Sequence, residues 1–294
     1  MKKIVRVGSR DSKLAVAQTM TVVKELKKQH PDITFELVTM KTTGDKILDR
    51  NLDQIGGKGL FVKELDKALL DKRIDLSIHS LKDLPMEISE DIPVVGFSKR
   101  EDPRDVLLIK KGMEETFGDG CIGTSSRRRM EQLKKIYPNA TFRGIRGNVQ
   151  TRLAKLEKED YSATILAKAG LARLGMEDYI DRVFDIEEMI PAAGQGILAY
   201  QGRKGEDYSY LQCVCDQTSE YAARAERSFV KYLDGGCSSP VAAYAQINGE
   251  ELTLHGLYYH EPASDYVVGK TTGNVAVAEA LGEALAKELK ARWN

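Results

Sequence analysis

Short apolar runs alternate with amphipathic stretches from residue 4 to about residue 167, and this alternation limits the possible folds more than any other feature. Residues 4–7 form a β-like run, a polar turn follows, and an amphipathic stretch over residues 14–29 ends before Pro31. Such alternation predicts α/β layers with mainly parallel sheets. From about residue 218 the pattern changes, and it predicts a small C-terminal α+β domain.

Two strand-to-helix turns in this region share one plan. Residues 7–12 and residues 122–129 each pass from a strand that ends in glycine to small hydroxyl residues, arginine and the start of a helix. Ligands of open α/β sheets bind outside the carboxyl ends of the strands. Two related halves would therefore present both turns to one cleft, although turns of this kind also recur by chance.

Composition sets broad limits on function. The chain has 294 residues, enough for two or three domains, and its 44 basic and 44 acidic residues give a net charge of zero. A neutral chain has no overall attraction to nucleic acid or to a membrane, so any basic function is local. The sequence shows neither a signal peptide nor an apolar run of the roughly 18 residues that a membrane span needs. Four cysteines in a long chain without a secretion signal favour reduced thiols over disulfides. Cys213 and Cys215 lack the C-x-x-C spacing of a zinc or redox site, so we expect no metal.

Arginine is concentrated in the middle of the chain. Residues 127–129 open a predicted helix just after Ser125 and Ser126, and residues 143–152 add three more arginines. Backbone N–H groups at a helix start bind anions, and guanidinium groups match carboxylates in a bidentate fashion. The cluster therefore predicts an anion site, although a solvated basic face would have the same composition. Nucleic acid is a weaker alternative because few aromatic residues are interleaved.

Residues 79–85 end a predicted strand and carry polar groups that can reach a cleft. Asp83 could accept hydrogen bonds from ligand N–H groups and stabilise a developing cation, and Lys82 could pair with a carboxylate. A plain strand-to-loop turn ended by Pro85 would give the same pattern. The polar, glycine-rich residues 41–58 predict a long loop of the kind that covers active sites.

Cys237 lies in a glycine-rich turn over residues 235–240. Paired glycines allow a ligand to approach the backbone closely, and a thiolate is the natural protein nucleophile for a soft carbon electrophile. Most lone cysteines are structural, so the turn alone leaves both interpretations open.

Together these motifs resemble a known family along almost the whole chain. The matching segments are residues 8–12, 56–64, 79–83, 100–105, 123–126, 146–149, 194–196 and 235–237. In this order they resemble the porphobilinogen deaminase family. The resemblance implies two lobes like those of periplasmic binding proteins, with the active cleft between them, and a small third domain. The implied domains are 1–97 with 194–216, then 98–193, then 217–294.

The resemblance also implies the chemistry. The family carries a dipyrromethane cofactor, two linked pyrroles held by a thioether, and the position of Cys237 marks it as the attachment point. Four porphobilinogens are added one at a time, each with loss of ammonia, and hydrolysis releases hydroxymethylbilane. Each pyrrole carries an acetate and a propionate, so the growing chain needs many cationic partners. Loss of ammonia leaves an electrophilic azafulvene cation, which a fixed carboxylate would stabilise.

Site residues follow from the matching positions. Asp83 corresponds to the catalytic aspartate. The residues expected to bind the cofactor, besides Cys237, are Ser80, Lys82, Thr124, Ser125, Ser126, Arg128, Arg129, Arg146 and Gly147. The residues expected to contact substrate are Arg10, Ser12, Gln18, Phe61, Arg152, Arg173 and Gln195, with Lys58 on the lid. Arg127 and Lys168 stand where the family requires no basic residue; they either face outward or add contacts with the lengthening product.

Other functions stay open at this point. The main alternative is a non-enzymatic, bilobal anion-binding protein, which the two α/β lobes alone would permit. The enzyme interpretation carries further expectations: a cytoplasmic location, a monomer, a small-molecule substrate, and no membrane or nucleic-acid partner.

Overall fold

The fold contains two α/β sheets and a smaller antiparallel sheet near the C-terminus. The computed structural model describes residues 3–42, 62–235 and 239–293. The chain divides into two compact units, one of Met1–Glu101 with Gly196–Glu220 and the other of Asp102–Gln195 with Tyr221–Asn294.

The sheet of the first unit has the strand order β2–β1–β3–β10–β4. Its strands are β1 (Lys3–Arg10), β2 (Ile33–Met40), β3 (Leu76–Ser80), β4 (Val94–Phe97) and β10 (Leu198–Gln201). β1 pairs in parallel with β2 and β3, whereas β10 is antiparallel to β3 and β4. All of these strands except β10 therefore run in one direction, and the carboxyl ends of β1 and β3 lie at the same edge.

The α/β sheet of the second unit repeats this plan with the order β7–β6–β8–β5–β9. Its strands are β5 (Asp105–Ile109), β6 (Cys121–Gly123), β7 (Thr141–Arg143), β8 (Ala163–Ala167) and β9 (Arg182–Val183). β6 is parallel to β7 and β8, and β5 is antiparallel to β8 and β9. The predicted α/β class with mainly parallel sheets is confirmed.

A glycine near the end of β1 and another at the end of β6 lie where a neighbouring element packs closely on the strand. Gly8 pairs with Ser77 in the first sheet, and Gly123 pairs with Thr164 in the second. A Cβ atom on Gly8 would lie 2.4 Å from Cδ1 of Ile74. Glycine therefore lets a neighbouring element approach the strand closely at this point, which explains the repeated strand–glycine–helix pattern.

Helices cover the sheets. They are α1 (Lys13–Gln29), α2 (Lys63–Leu70), α3 (Arg127–Ile136), α4 (Val149–Lys158), α5 (Lys168–Ala172), α6 (Gln217–Tyr232) and α7 (Ala278–Ala291). Ser12 begins α1 by accepting a hydrogen bond of 3.2 Å at its hydroxyl oxygen from the N–H of Ala15. The buried face of α1 includes Val22, Val23 and Leu26, which pack in the core of the first unit.

The C-terminal sheet is antiparallel, with the order β11 (Ala242–Asn248), β12 (Glu251–His260) and β13 (Asp265–Asn274). The sequence predicts only the first two strands, joined by a turn at Asn248 and Gly249. In the structure Asn248 pairs with Glu251, and Gly249 has a φ of 62°. In the additional strand β13, the short apolar run Tyr266–Val268 is followed by glycine, lysine and two threonines, so its sequence shows no sustained apolar alternation. The predicted small C-terminal α+β domain is confirmed.

No helix in the described parts of the chain combines the length and the apolar character that crossing a membrane requires.

Candidate active site

A pocket lies at the carboxyl ends of β1 and β3 in the first unit. It is partly open to solvent and is lined by Arg10, Ala15, Gln18, Val62, Ile78, His79, Ser80 and Asp83. Four residues of this lining, Arg10, Gln18, Ser80 and Asp83, are predicted site residues. Because β1 and β3 are parallel neighbours, their ends deliver Arg10 and Ser80 to the same edge of the sheet.

Asp83 is held in this pocket by a short helical turn. The 3-10 turn Leu81–Asp83 directly follows β3, and the N–H of Leu84 donates to the carbonyl of Leu81 at 3.1 Å. Leu81 and Leu84 are both buried and anchor the turn in the core. The anchored turn leaves Lys82 and Asp83 half-buried between its two leucines. Asp83 is thus a carboxylate in a fixed position with partial access to solvent.

Gln18 links α1 to β3 across the pocket wall. Its side-chain amide nitrogen lies 3.1 Å from the hydroxyl oxygen of Ser80, and the side chain of Gln18 is buried. The contact joins two predicted site residues and fixes the distance between helix and strand. Ser12, a predicted substrate contact, lies at the start of the same helix, where its hydroxyl group caps α1.

His79 is a buried pocket residue to which sequence reasoning assigned no role. Its Nε2 atom lies 2.8 Å from the hydroxyl oxygen of Ser77. The pKa of His79 is lowered to about 4, chiefly by burial and next by the charge of Arg10, while a hydrogen bond with Gln201 partly opposes the change. The imidazole is therefore neutral at physiological pH and adds no charge next to Arg10.

In the second unit, hydroxyl groups of the turn before α3 form hydrogen bonds with the backbone. The N–H of Ser126 donates to the hydroxyl oxygen of Thr124 at 3.2 Å, and the hydroxyl of Ser125 donates to the carbonyl of Ile145 at 3.0 Å. Ser126 is the N-cap residue of α3, yet its hydroxyl makes no capping hydrogen bond within the described chain. A helix start with this arrangement presents N–H and O–H donors to an anion.

Arg128 and Arg129, both predicted to bind the cofactor, converge on one buried carboxylate. Arg128 Nη1 lies 2.7 Å from Oδ2 of Asp105, and Arg129 Nη2 lies 2.8 Å from Oδ1. Burial alone would raise the pKa of Asp105, but the two guanidinium groups outweigh it and hold that pKa well below its usual value. Two positive charges therefore face one negative charge, and the cluster keeps a net positive charge.

Gln195 completes this cluster. Its Nε2 atom donates to Oδ1 of Asp105 at 2.9 Å and to the carbonyl oxygen of Pro103 at 2.6 Å. Gln195 is buried, so in this structure its amide group organises Asp105. The sequence alone assigned no individual role to Asp105. A carboxylate that directly precedes four apolar strand residues was the available signal, because a buried charge needs partners.

The segment Arg146–Arg152 forms a turn that leads into the first turn of α4. Gly147 has a φ of 115°, and Asn148 caps α4 by accepting a hydrogen bond of 2.9 Å from the N–H of Thr151. Arg152 Nε donates to the carbonyl of Gly147 at 2.9 Å. The Nε atom of Arg146 is buried and has no hydrogen-bond partner among the described residues. Arg173, the remaining predicted arginine, follows α5 and is half-buried.

Arg127 and Lys168, whose roles the sequence left open, both have protein partners. Arg127 pairs with Glu261 of the C-terminal domain at 2.7 Å. Lys168 pairs with Asp102 at 2.9 Å, and Arg104 holds the same carboxylate.

Cys237, Lys58 and Phe61 lie outside the described residues, as does all of the predicted loop 41–58 beyond Thr42. The cysteines that are described, Cys121, Cys213 and Cys215, are free thiols. Within the described ranges, no group of three or more His, Cys, Asp or Glu side chains could hold a metal ion.

Comparisons with known proteins bear on the whole chain. A sequence model of the porphobilinogen deaminase, dipyromethane cofactor binding domain matches residues 5–210, and one of the porphobilinogen deaminase C-terminal domain matches residues 221–291. The porphobilinogen deaminase of Acetivibrio thermocellus is 56% identical over 285 residues, which cover 97% of both chains. That of Alkaliphilus oremlandii is 53% identical over 287 residues, covering 97% of this chain and 96% of the relative. Among solved structures, the methionine-binding protein MetQ is 12% identical with a TM-score of 0.46, covering 72% of this chain and 88% of that one. The chain therefore belongs to the porphobilinogen deaminase family.

Proposed function

We propose that the pocket of the first unit is the catalytic centre of this chain and that Asp83 is its catalytic residue. The chain is a transferase of the porphobilinogen deaminase family, which joins four porphobilinogens with loss of ammonia and then releases hydroxymethylbilane by hydrolysis. One observation carries the proposal: Asp83 and Arg10 line the same pocket, at the carboxyl ends of two parallel strands. A carboxylate and a guanidinium group in one pocket match a substrate that gains positive charge at its pyrrole and carries acid side arms.

Asp83 acts by its negative charge. As the amine of porphobilinogen leaves as ammonia, positive charge develops on the pyrrole, and a fixed carboxylate close to the ring N–H lowers the energy of that state. The anchored 3-10 turn holds the carboxylate in advance, so little reorganisation is needed during the reaction. We assign Arg10 to binding a substrate carboxylate, and the neutral imidazole of His79 adds no second positive charge beside it.

The second unit fits a group with several carboxylates. The buried Nε atom of Arg146 has no partner among the described residues, and such an unsatisfied donor is rare in native proteins. A ligand carboxylate would supply the acceptor. The donors at the start of α3, including the Ser126 hydroxyl, offer a second anchoring point.

These donors fit a dipyrromethane cofactor. Ser126, Arg128 and Arg146 would hold its acid side arms, and Cys237 would attach it through a thioether. When bound, the cofactor supplies the pyrrole carbon to which the first substrate ring is joined. The remaining candidates complete the proposed set: Ser80, Lys82, Thr124, Ser125, Arg129 and Gly147 toward the cofactor, and Ser12, Gln18, Phe61, Arg152, Arg173 and Gln195 toward the substrate, with Lys58 on the lid. For Arg128, Arg129 and Gln195, part of this role is exerted through the buried carboxylate of Asp105.

Intact-mass measurement tests the covalent attachment. Protein from a host that makes porphobilinogen should exceed the sequence mass by two pyrrole units, and Cys237→Ala should lose the excess. Cys213→Ala is the matched control, because Cys213 is a free cysteine outside the family motif; it should keep the adduct. A wild-type mass equal to that of the sequence would refute the attachment and would favour a non-enzymatic anion-binding protein.

Further expectations extend this proposal. We infer three domains. The catalytic pocket would lie in residues 1–97 with 194–216, the anion-binding arginines in 98–193 and the attachment cysteine in 217–294. The C-terminal family match over residues 221–291 supports the last of these boundaries. We also infer a cytoplasmic monomer without a nucleic-acid partner. Sedimentation tests whether the protein is a monomer. Binding to generic DNA or RNA that weakens steeply with salt would contradict the absence of a nucleic-acid partner.

A further inference from the structure

The outer surface of α3 carries two basic side chains that form ion pairs with the tip of the β12–β13 hairpin. Arg127 makes a bidentate ion pair with Glu261, with Nη1–Oε1 at 2.7 Å and Nη2–Oε2 at 2.8 Å. Lys135 pairs with Asp265 at 2.8 Å. Glu261 directly follows β12 and Asp265 begins β13, so each end of the hairpin connection is held by one cation.

Aromatic rings of the hairpin reinforce both ion pairs. The guanidinium carbon of Arg127 lies 5.6 Å from the ring centroid of Tyr259, and Nζ of Lys135 lies 3.8 Å from that of Tyr266. Both distances are within the range of a cation–π interaction. The contacts of Arg127 and Lys135 are alike in chemistry but differ in position. The two residues are eight positions apart, which is about 12 Å along a helix.

The inner surface of α3 is tied to the same C-terminal sheet. Arg128 Nη1 donates to the carbonyl of Ile190 at 2.9 Å. The side chain of Ile190 packs in one apolar cluster with Ala242 of β11 and Leu257 of β12. The first turn of α3 is therefore held from two sides: through Ile190 on the buried side and through the Arg127–Glu261 pair on the exposed side.

Arg127 is unfavourable for α3 itself. A cation in the first turn of a helix opposes the helix dipole, and Arg128 and Arg129 already place two charges there. The carboxylate of Glu261 compensates for this effect, because it brings a negative charge to the helix start. The positive end of the α3 dipole disfavours Arg127, and Glu261 of the C-terminal domain neutralises the charge of that arginine.

We propose that Arg127 is a positioning residue: its pair with Glu261 fixes the first turn of α3, which carries Ser126 and Arg128, against the C-terminal domain. This inference rests on the proposed function, in which that turn binds carboxylates of the oligopyrrole and the C-terminal domain carries Cys237. Arg127 itself touches no ligand in this account. It acts by holding the donors of the first turn in the orientation that the ligand needs.

A double-mutant cycle on the holoenzyme tests the proposal, with Arg127→Gln, Glu261→Gln and the double variant. Each single variant should raise the KM for porphobilinogen by about two- to fivefold, the range that corresponds to losing a partly exposed ion pair. The kcat should change by less than about twofold, because Asp83 is not touched. The double variant should be no worse than either single variant, since both remove the same interaction. Arg127→Lys, which keeps one contact, should recover part of the loss.

Lys135→Met is the matched control. It removes an ion pair to the same hairpin but lies two turns away from the helix start, and it keeps an apolar stem over Tyr266. The thermal unfolding midpoint should fall by a similar small amount in Lys135→Met and Arg127→Gln. Of these two variants, only Arg127→Gln should raise KM.

The other outcomes overturn the proposal. If Arg127→Gln raises KM while Glu261→Gln leaves it unchanged or lowers it, then Arg127 contacts the ligand directly. If Lys135→Met raises KM as much as Arg127→Gln, or if neither raises it, the ion pairs are only structural. The intact mass and activity of the wild type test the proposed function separately, so a failure of that function is recognised before any variant is compared.

Discussion

The buried carboxylate of Asp105 lies 2.7 Å from Nη1 of Arg128, and this ion pair ties the first residue of β5 to the first turn of α3. Asp105 also receives hydrogen bonds from Arg129 and Gln195. Two predicted cofactor-binding arginines and one predicted substrate contact are therefore held by one fully buried carboxylate. The donors at the start of α3 can face an anion only if this carboxylate holds them in place.

Replacing Asp105 should destabilise the protein strongly. In Asp105→Asn the two guanidinium groups stay buried without a counter-charge, and the free energy of unfolding should fall by about 3–5 kcal/mol. Asp102→Asn is the control: that carboxylate also pairs with an arginine and a lysine, but it is partly exposed, so its loss should cost only about 1 kcal/mol. Urea unfolding measures both values, and equal losses would contradict the role given to Asp105.

The stability of the protein should depend on pH through His79. The pKa of its imidazole is lowered to about 4 in the folded chain, against an ordinary value of 6.5. Since the unfolded chain binds the proton first, the stabilising contribution is complete above about pH 6.5 and is lost as pH falls toward 4. Over this window His79 should account for a loss of about 3 kcal/mol.

A His79→Gln variant checks this expectation. Its unfolding free energy should change less between pH 6.5 and 4 than that of the wild type, whatever its absolute stability. Above about pH 7.5 the imidazole is neutral in both states, so the difference between the two proteins should be constant there. Two curves that stay parallel down to pH 4 would rule out the buried, neutral imidazole.

Asp83 is expected to be essential for turnover and not for folding. In Asp83→Asn the negative charge is lost but the anchored turn between Leu81 and Leu84 remains, so kcat should fall by about 10²–10³-fold while the cofactor mass is retained. The exposed Asp91, outside the pocket, provides the control: Asp91→Asn should turn over normally. Steady-state rates and intact masses decide the outcome, and near-normal turnover in Asp83→Asn would refute its electrostatic role.

Much of the first-unit pocket could be predicted from the sequence because its residues follow strand ends. Parallel neighbours in a sheet bring their carboxyl ends together, so residues that follow β1 and β3 had to meet. The structure indeed places Arg10, Ser80 and Asp83 around one pocket. A short motif at the end of a strand is therefore enough to predict that its residues lie at this edge of the sheet.

The network around Asp105 could not be predicted in the same way. Its partners lie 23, 24 and 90 residues away, and no local periodicity reports contacts at such separations. The exposed pair of Arg127 and Glu261, 134 residues apart, was hidden for the same reason. Basic residues therefore stood out in the sequence as a cluster, while the acidic residues that decide which of them face a ligand did not.

Gly147 offers a test of the backbone at the anion-binding turn. Its φ of 115° disfavours any side chain, and a Cβ atom would lie 2.4 Å from Cγ2 of Thr151. Gly147→Ala should therefore force apart the Asn148 cap of α4 and the contact of Arg152 with the residue 147 carbonyl, costing about 2–4 kcal/mol. Gly112→Ala is the control, because Gly112 has a φ of 85° but open space around its Cα, so only the backbone strain of about 1–2 kcal/mol remains. Urea unfolding should show the larger loss in Gly147→Ala, and its KM should rise as well, since Arg146 and Arg152 flank the displaced turn; an equal loss in both variants would mean that the steric contact with Thr151 is relieved without cost.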